Sequence, residues 1–276
     1  MGIIMAGLSP HPPIIIPEVG KERRKRAKST IKSLKEISEE VKERDPDLLI
    51  TISPHGPVFR DAISVLDTEE LSGDLAEFGQ PEVFFQQKNN LEFIKNLKEN
   101  SVKKNIDLIT LSEARTASNY STSTQLDHGV MVPLYFLKKA GVNVPLVPLT
   151  MGLLDYDKLF KFGEIIQNTV EEMGIKAIII ASGDLSHRLK PGAPAGYNPR
   201  GEEFDKKLMK LLGEKKFEKI LNLDKNLVKK AGECGLRPII IMLGSIAGMK
   251  VEVEVKSYEG PFGVGYGVAG FYPVSH

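Results

Sequence analysis

Five histidines occur in the 276-residue chain, and four of them fall in loops or at a helix start rather than on an apolar face. Three share one pattern. GIIMAGLSPH runs from Gly2 to His11, LLITISPH from Leu48 to His55, and AIIIASGDLSH from Ala177 to His187. Each is a run of apolar residues that reads as a strand buried on both faces, followed by small or polar residues and an imidazole. In an open α/β sheet, ligands bind outside the carboxyl ends of the strands. Three imidazoles delivered to equivalent ends predict convergence, and histidine is the commonest metal ligand. The fourth, His128, opens the segment HGVMVPLYFLKKAG, with Asp127 as candidate cap and Gly141 as candidate terminator of a helix. An imidazole at that position can donate to a developing negative charge. His276 is expected to be a frayed tail.

The elements that must position these residues follow from the periodicity. Apolar runs predict strands over 3–8, 48–52, 106–111, 144–149 and 177–181, with short strands at 61–66 and 81–85. Helical spacing predicts helices over 21–44, 89–100, 156–173, 202–212 and 236–246. The basic run KERRKRAK at 21–28 reads as a solvated helix face, because no aromatics interleave with it. The acidic stretch 67–80 and the Ser/Thr-rich stretch 114–127 read as loops, the second as a functional one. The Pro/Gly-rich connection 188–199 reads as a site-covering loop. Two antiparallel strands, 251–257 and 262–271, close the chain. GVGYGVAG, within the second, opens no helix and is rejected as a dinucleotide fingerprint, so no nucleotide cofactor is expected. The fold class expected is α/β. It is a single domain over 1–276 with a central mixed, largely parallel sheet flanked by helices and a site at the carboxyl edge of the strands.

Composition excludes several classes. A net charge of +1, from 37 basic and 36 acidic residues, argues against nucleic acid and anionic membrane surfaces. One cysteine excludes an intrachain disulfide framework and suits a reducing compartment. With no membrane-spanning apolar run and no basic leader before the first strand, a cytoplasmic protein is expected.

Two histidines and one carboxylate make the facial triad of non-haem Fe(II) oxygenases, which leaves positions for substrate and O2. Histidines outside the triad are then available as acid–base groups near neutral pH. Candidates for the third ligand lie in KKAGECG. There Glu233 and Cys234 precede an apolar helix, whose N-terminus favours anions and lowers a thiol pKa. The residues alone leave open which three ligate. Phe59, Phe84 and Tyr197 read as packing residues rather than ring-stacking ones.

The motifs SPHPP, SPHG, LDHG, GDLSH and AGECG occur in this order over nearly the whole chain. Together they resemble the class III extradiol ring-cleaving dioxygenases of the protocatechuate 4,5-dioxygenase type, and at least as much the related Memo-like proteins. The resemblance implies one mononuclear non-haem iron, with zinc or another divalent metal as the alternative. It makes His11 and His55 metal ligands, His187 the general base toward a catechol, and His128 a hydrogen-bond partner of substrate or dioxygen. In the dioxygenases the third ligand is a glutamate, which here is Glu233. In the Memo-like branch it is a cysteine in a context resembling CGLRP, which puts Cys234 in that place. The implied partners are a small aromatic diol and O2, and self-association into a homo-oligomer is left open. The expected activity is extradiol ring cleavage. The alternatives are a Memo-like metal-binding protein without ring cleavage and a zinc hydrolase with metal-bound water as nucleophile.

Overall fold

The computed structural model describes residues 1–117 and 124–274, without the side chains of 115–117. His276 and part of the 114–127 stretch lie outside the described residues. Among the described residues there are ten strands, β1 (Gly2–Ser9), β2 (Leu48–Ser53), β3 (Ala62–Val65), β4 (Glu70–Leu75), β5 (Gln80–Lys88), β6 (Asp107–Thr110), β7 (Leu146–Thr150), β8 (Lys176–Ser182), β9 (Val251–Glu259) and β10 (Tyr266–Pro273). The helices are α1 (Pro17–Gly20), α2 (Lys28–Glu43), α3 (Leu91–Val102), α4 (Leu111–Ala117), α5 (His128–Ala140), α6 (Tyr156–Glu172), α7 (Arg200–Gly213), α8 (Phe217–Leu221), α9 (Lys225–Ala231) and α10 (Leu236–Ser245).

Eight strands form one sheet in the order β6-β3-β7-β2-β8-β1-β10-β9. Its centre, β7-β2-β8-β1, is parallel throughout. Antiparallel pairings of β3 on β7, β10 on β1 and β9 on β10 make the flanks. The three strands that precede histidines, β2, β8 and β1, are therefore neighbours and point the same way.

Residues along these strands go to opposite faces in turn. Ala177, Ile179 and Ala181 of β8 join a core with α3, α6, α7 and α10, through Leu97, Phe162, Leu208 and Ile240. Ile178 and Ile180 join a second core with α2 and α5, through Leu34, Ile37, Val130 and Leu134. Leu48, Ile50 and Ile52 of β2 face the first core, while Leu49 faces the second. Burial on both sides explains the unbroken apolar runs, each such side chain contributing about 1.5–3 kcal/mol.

Four expectations are corrected. The 67–80 stretch is not a loop: β4 lies within it, with Leu71 and Leu75 buried, and pairs with a β5 longer than expected. Its period-2 pattern was hidden by acidic residues on the outward positions. The 114–127 stretch is not wholly loop, because α4 runs to Ala117. The helix expected over 21–44 winds as a 3-10 turn over Lys21–Ala27, and Ala27, at φ −110° and ψ 39°, separates it from α2. Phe84 and Tyr197 are 60% and 57% exposed, so neither packs in the core.

One close approach joins two site-bearing loops. A Cβ on Gly183, just past β8, would lie 2.2 Å from the Cα of Gly235, just before α10. Gly183→Ala is expected to cost about 1–3 kcal/mol of stability as overpacking and to separate the segment of Asp184 from that of Cys234. Denaturant unfolding checks this, and an unchanged midpoint would show that the two loops can part freely.

Candidate metal centre

His11, His55 and Cys234 each offer one donor atom, and the three atoms lie within 4.8 Å of one another. His11 follows β1, His55 follows β2, and Cys234 comes from the turn between α9 and α10. The His11 and His55 Nε2 atoms are 2.9 Å apart, and Cys234 Sγ is 3.6 Å from His11 Nε2. His187 joins them, its Nε2 3.6 Å from the same sulfur. The His128 ring stacks on His55 with centroids 4.3 Å apart. All four site histidines thus form one cluster. His11 is buried at 2% exposure, His55 opens to solvent, and His128, His187 and Cys234 are half-buried.

Hydrogen bonds around the cluster orient the donors. The Ser182 hydroxyl gives its proton to the Gly129 carbonyl, so its oxygen is left to accept from His11 Nδ1, 2.9 Å away. That makes Nδ1 the protonated nitrogen of His11 and leaves the Nε2 lone pair facing His55 and Cys234. Such a partner on the second nitrogen is what a ligating imidazole has. Two imidazole nitrogens and a thiol, with at least one lone pair held inward, fit a divalent transition metal and do not fit calcium or magnesium.

Asp184 ties two of these donors together. Its carboxylate accepts from the His11 backbone N–H at 2.9 Å, and its carbonyl accepts from the Cys234 N–H at 3.3 Å. Ser53 does a related job for His55, accepting from its N–H while donating to Asp127 Oδ1 at 2.5 Å. Asp127 also caps α5 by accepting from the Gly129 N–H. Asp205, fully buried, accepts from the Ser186 N–H and the Tyr258 hydroxyl and so braces the turn that carries His187. Sequence reading missed Asp184, Ser182, Ser53 and Asp205 as positioning groups. It also missed Phe78, whose ring meets His128 edge-on at 5.4 Å. The signal for Asp184 lay in GDLSH, where a carboxylate three residues before the histidine was treated as a spacer.

Glu233 stands apart. Its Oε2 accepts from the Leu236 N–H at 2.6 Å, capping α10, and its side chain lines a separate hollow with Tyr156 and Arg237. The structure brings together His11, His55, Cys234, His187 and His128 and leaves the Glu233 carboxylate out of that cluster.

Two electrostatic expectations are corrected. The Cys234 thiol is pushed well above its ordinary value, first by burial, then by Asp184 and Glu233. A helix N-terminus was expected to lower it, but Glu233 already takes the first N–H of α10. Of the histidines, His11, His55 and His128 do not titrate near neutrality. Burial, with the neighbouring imidazoles, holds His11 well below 6.5. It takes His55 and His128 down to about 4, and it lowers His187. All four are neutral at pH 7. Burial also raises the Asp184 and Asp205 carboxyls to about 7.

With this geometry in hand, relatedness is decisive. The sequence matches the family described as the catalytic LigB subunit of aromatic ring-opening dioxygenase over residues 5–269. The chain belongs to the LigB family. Protein CA_C1420 of Clostridium acetobutylicum is 41% identical over 261 residues, which is 95% of this chain and 56% of that protein. The LigB-family chain thus spans about half the length of that relative. A MEMO1 family protein of Methanococcus vannielii is 29% identical over 144 residues, 51% of this chain and 45% of its own length. A 4,5-DOPA dioxygenase extradiol-like protein of Schizosaccharomyces pombe is 36% identical over 70 residues, 25% of this chain and 22% of its own. The crystal structure of the uncharacterized protein JW3007 from Escherichia coli K12 superposes with a TM-score of 0.64 over 98% of this chain and 99% of that one. At 14% identity, this likeness speaks to the fold. Among the described residues, no helix is long and apolar enough to cross a membrane.

The depressed imidazoles give the LigB-family site a pH signature. His128 has a folded pKa of about 4 against 6.5 for the free side chain. A depressed folded pKa means the stabilising contribution is complete above about pH 6.5 and is lost as pH falls through about 4. In metal-free protein held in chelator, the acid flank of the Tm–pH curve is therefore expected to be shallower for His128→Gln than for the parent chain. Superimposable acid flanks would mean that the folded protein accepts that proton freely.

Proposed function

We propose that this chain is a non-haem Fe(II)-dependent dioxygenase acting on a small catechol-type aromatic diol, with His11, His55 and Cys234 as the metal ligands. The observation that carries the metal site is the meeting of two Nε2 atoms and one Sγ within 4.8 Å. The family supports the reaction class. A bound Fe(II) supplies the means to bring diol and dioxygen together and to pass electron density from one to the other.

The chain's own groups supply the rest. His187, neutral at pH 7 because burial lowers its pKa, is fit to take a proton from a diol hydroxyl. The same nitrogen returns the proton once both oxygen atoms of O2 have entered the opened ring. His128 is placed beside His55 to hydrogen-bond a substrate oxygen, and Phe78 offers a ring edge to one side of that imidazole. Asp184 and Ser182 keep His11 from turning away.

A second reading is favoured by one observation. The side chain that faces the imidazoles is the Cys234 thiol, while the Glu233 carboxylate caps α10. The carboxylate triad is the donor set tied to O2 activation. A thiolate in its place suits a Memo-like metal-binding protein with a redox or partner-binding role and no ring cleavage. Oxygen uptake by Fe(II)-loaded protein against a panel of catechols separates the two readings. Uptake equimolar with catechol consumed supports the dioxygenase, and none with any catechol leaves the Memo-like reading standing.

Ligand identity is tested by metal content in protein purified without chelators. Cys234→Ala is expected to lose the metal. Glu233→Ala is expected to keep it and to lose about 1 kcal/mol of stability with the α10 cap. If both variants retain full metal, the three-donor assignment fails. Zinc in place of iron in the parent protein would sink the Fe(II) assignment.

His187→Ala is expected to keep its metal and to lose about 10²–10⁴ in turnover. His11→Ala should lose both metal and turnover. A His187→Ala protein as empty of metal as His11→Ala would make His187 a ligand and move the base to His128.

A further inference from the structure

A proline sits inside α5, past its first turn. Pro133 is buried in that helix. First-turn residues tolerate proline, because their N–H groups have no helical partner in any case. At position 133 an N–H would instead reach the Gly129 carbonyl, its i−4 partner. Proline has no N–H to give, and its ring presses on that same carbonyl. Gly129 is also buried, so its carbonyl, left without the helical bond, must find another partner.

The partner comes from the sheet. The Ser182 hydroxyl, at the end of β8, donates to the Gly129 carbonyl at 2.5 Å. The first turn of α5 lies close on the strand ends. A Cβ on Gly129 would fall 2.3 Å from Ser53 Oγ and 2.8 Å from Asp127 Oδ1, so the contact needs a glycine. A carbonyl only accepts, which commits the one proton of Ser182 to Gly129. The Ser182 oxygen then meets His11 Nδ1, 2.9 Å away, as an acceptor. That places the His11 proton on Nδ1. The lone pair stays on Nε2, which is 2.9 Å from His55 Nε2 and 3.6 Å from Cys234 Sγ.

We infer that Pro133 is a positioning residue for the metal centre. By withholding an N–H it leaves the Gly129 carbonyl to Ser182, and Ser182 thereby holds the His11 lone pair on Nε2. The role of that lone pair rests on the reading of His11 as a metal ligand. With an N–H at position 133, the Gly129 carbonyl turns back toward the helix axis and closes its α5 bond. The Ser182 proton is then able to rotate toward His11 Nδ1. An imidazole that accepts at Nδ1 carries its proton on Nε2, where it blocks the donor atom. A carbonyl can accept twice, so the restored N–H competes with Ser182 and shifts the tautomer in part.

The tautomer is read first, in metal-free full-length chain carrying isotope-labelled histidine. Long-range proton–nitrogen correlation spectra show which ring nitrogen bears the proton, and His11→Gln identifies the His11 signals. The parent chain is expected to hold the Nδ1–H form. Pro133→Ala should raise the share of the Nε2–H form, and so should Pro133→Val, which restores the N–H and keeps a branched side chain at the buried position. Circular dichroism checks the fold of each. Zn(II), as a redox-silent probe titrated against a competing chelator, should bind about tenfold more weakly to both. Ser182→Ala, which removes the Nδ1 acceptor outright, should cost about 10–100-fold. A proline that only bends α5 would leave the proton on Nδ1. Parent-like tautomer and affinity in the folded Pro133 variants, beside a loss in Ser182→Ala, would overturn the inference. So would an unchanged tautomer in Ser182→Ala. Because the tautomer is read without metal, it decides the role of Pro133 even if the parent chain takes up no zinc, a result that would instead sink the ligand assignment.

Discussion

Parallel pairing of β1, β8 and β2 is the constraint on which the site depends. Adjacent strands sit about 4.8 Å apart, so the ends of β1 and β2, on either side of β8, are about 10 Å apart. An imidazole reaching inward from each end covers most of that gap, and the two Nε2 atoms meet at 2.9 Å above the end of the middle strand. Had β1 and β2 run in opposite directions, the two histidines would have emerged at opposite ends of the strands. The parallel pairing of these doubly buried strands sets the side on which their loops emerge. Fold and site rest on the same residues.

What the sheet brings near, neutral dipoles then aim. The middle strand ends in Ser182 and Asp184, one holding the His11 ring and the other the His11 backbone. Asp184 reaches the opposite side of the site through its carbonyl, which receives the Cys234 N–H. No cationic side chain is needed for any of this. The resulting pocket holds neutral imidazoles and a thiol whose pKa is raised by burial and nearby carboxylates. If the proposed metal binds, a thiol so raised would give up its proton to it, coupling uptake to proton release. The electrostatics disfavour a bare thiolate and favour one compensated by a cation.

Much of this was legible from the sequence, because the strand-then-histidine echo expresses a real symmetry of three parallel neighbours. The choice between Glu233 and Cys234 was not legible. They are adjacent, both anionic when ionised, and both close to the start of α10. The choice is made by two backbone groups far apart in sequence. The Asp184 carbonyl holds the Cys234 N–H, and the free N–H of Leu236 captures the Glu233 carboxylate. Neither contact leaves a pattern in spacing or composition. The β4–β5 hairpin was hidden for a similar reason. Its inward residues Leu71, Gly73 and Leu75 alternate properly, but Ser72 and Asp74 between them resemble a loop, and Phe78 at its turn was passed over.

The placement of a thiol where the dioxygenase pattern has a carboxylate separates architecture from chemistry. Both donors carry one negative charge when bound, so two imidazoles and either anion give a metal site of the same net charge. The sheet, the Asp184 bridge and the orientation of His11 are indifferent to the exchange. Softness is what changes: a thiolate favours softer ions and donates more electron density than a carboxylate does. The hydrogen bonds that orient His11 would therefore serve a metal held by either donor. His187 and His128 hold their places around that atom in either case. On the proposed ligand set, the donor at position 234, rather than the scaffold, is the point at which the two readings differ.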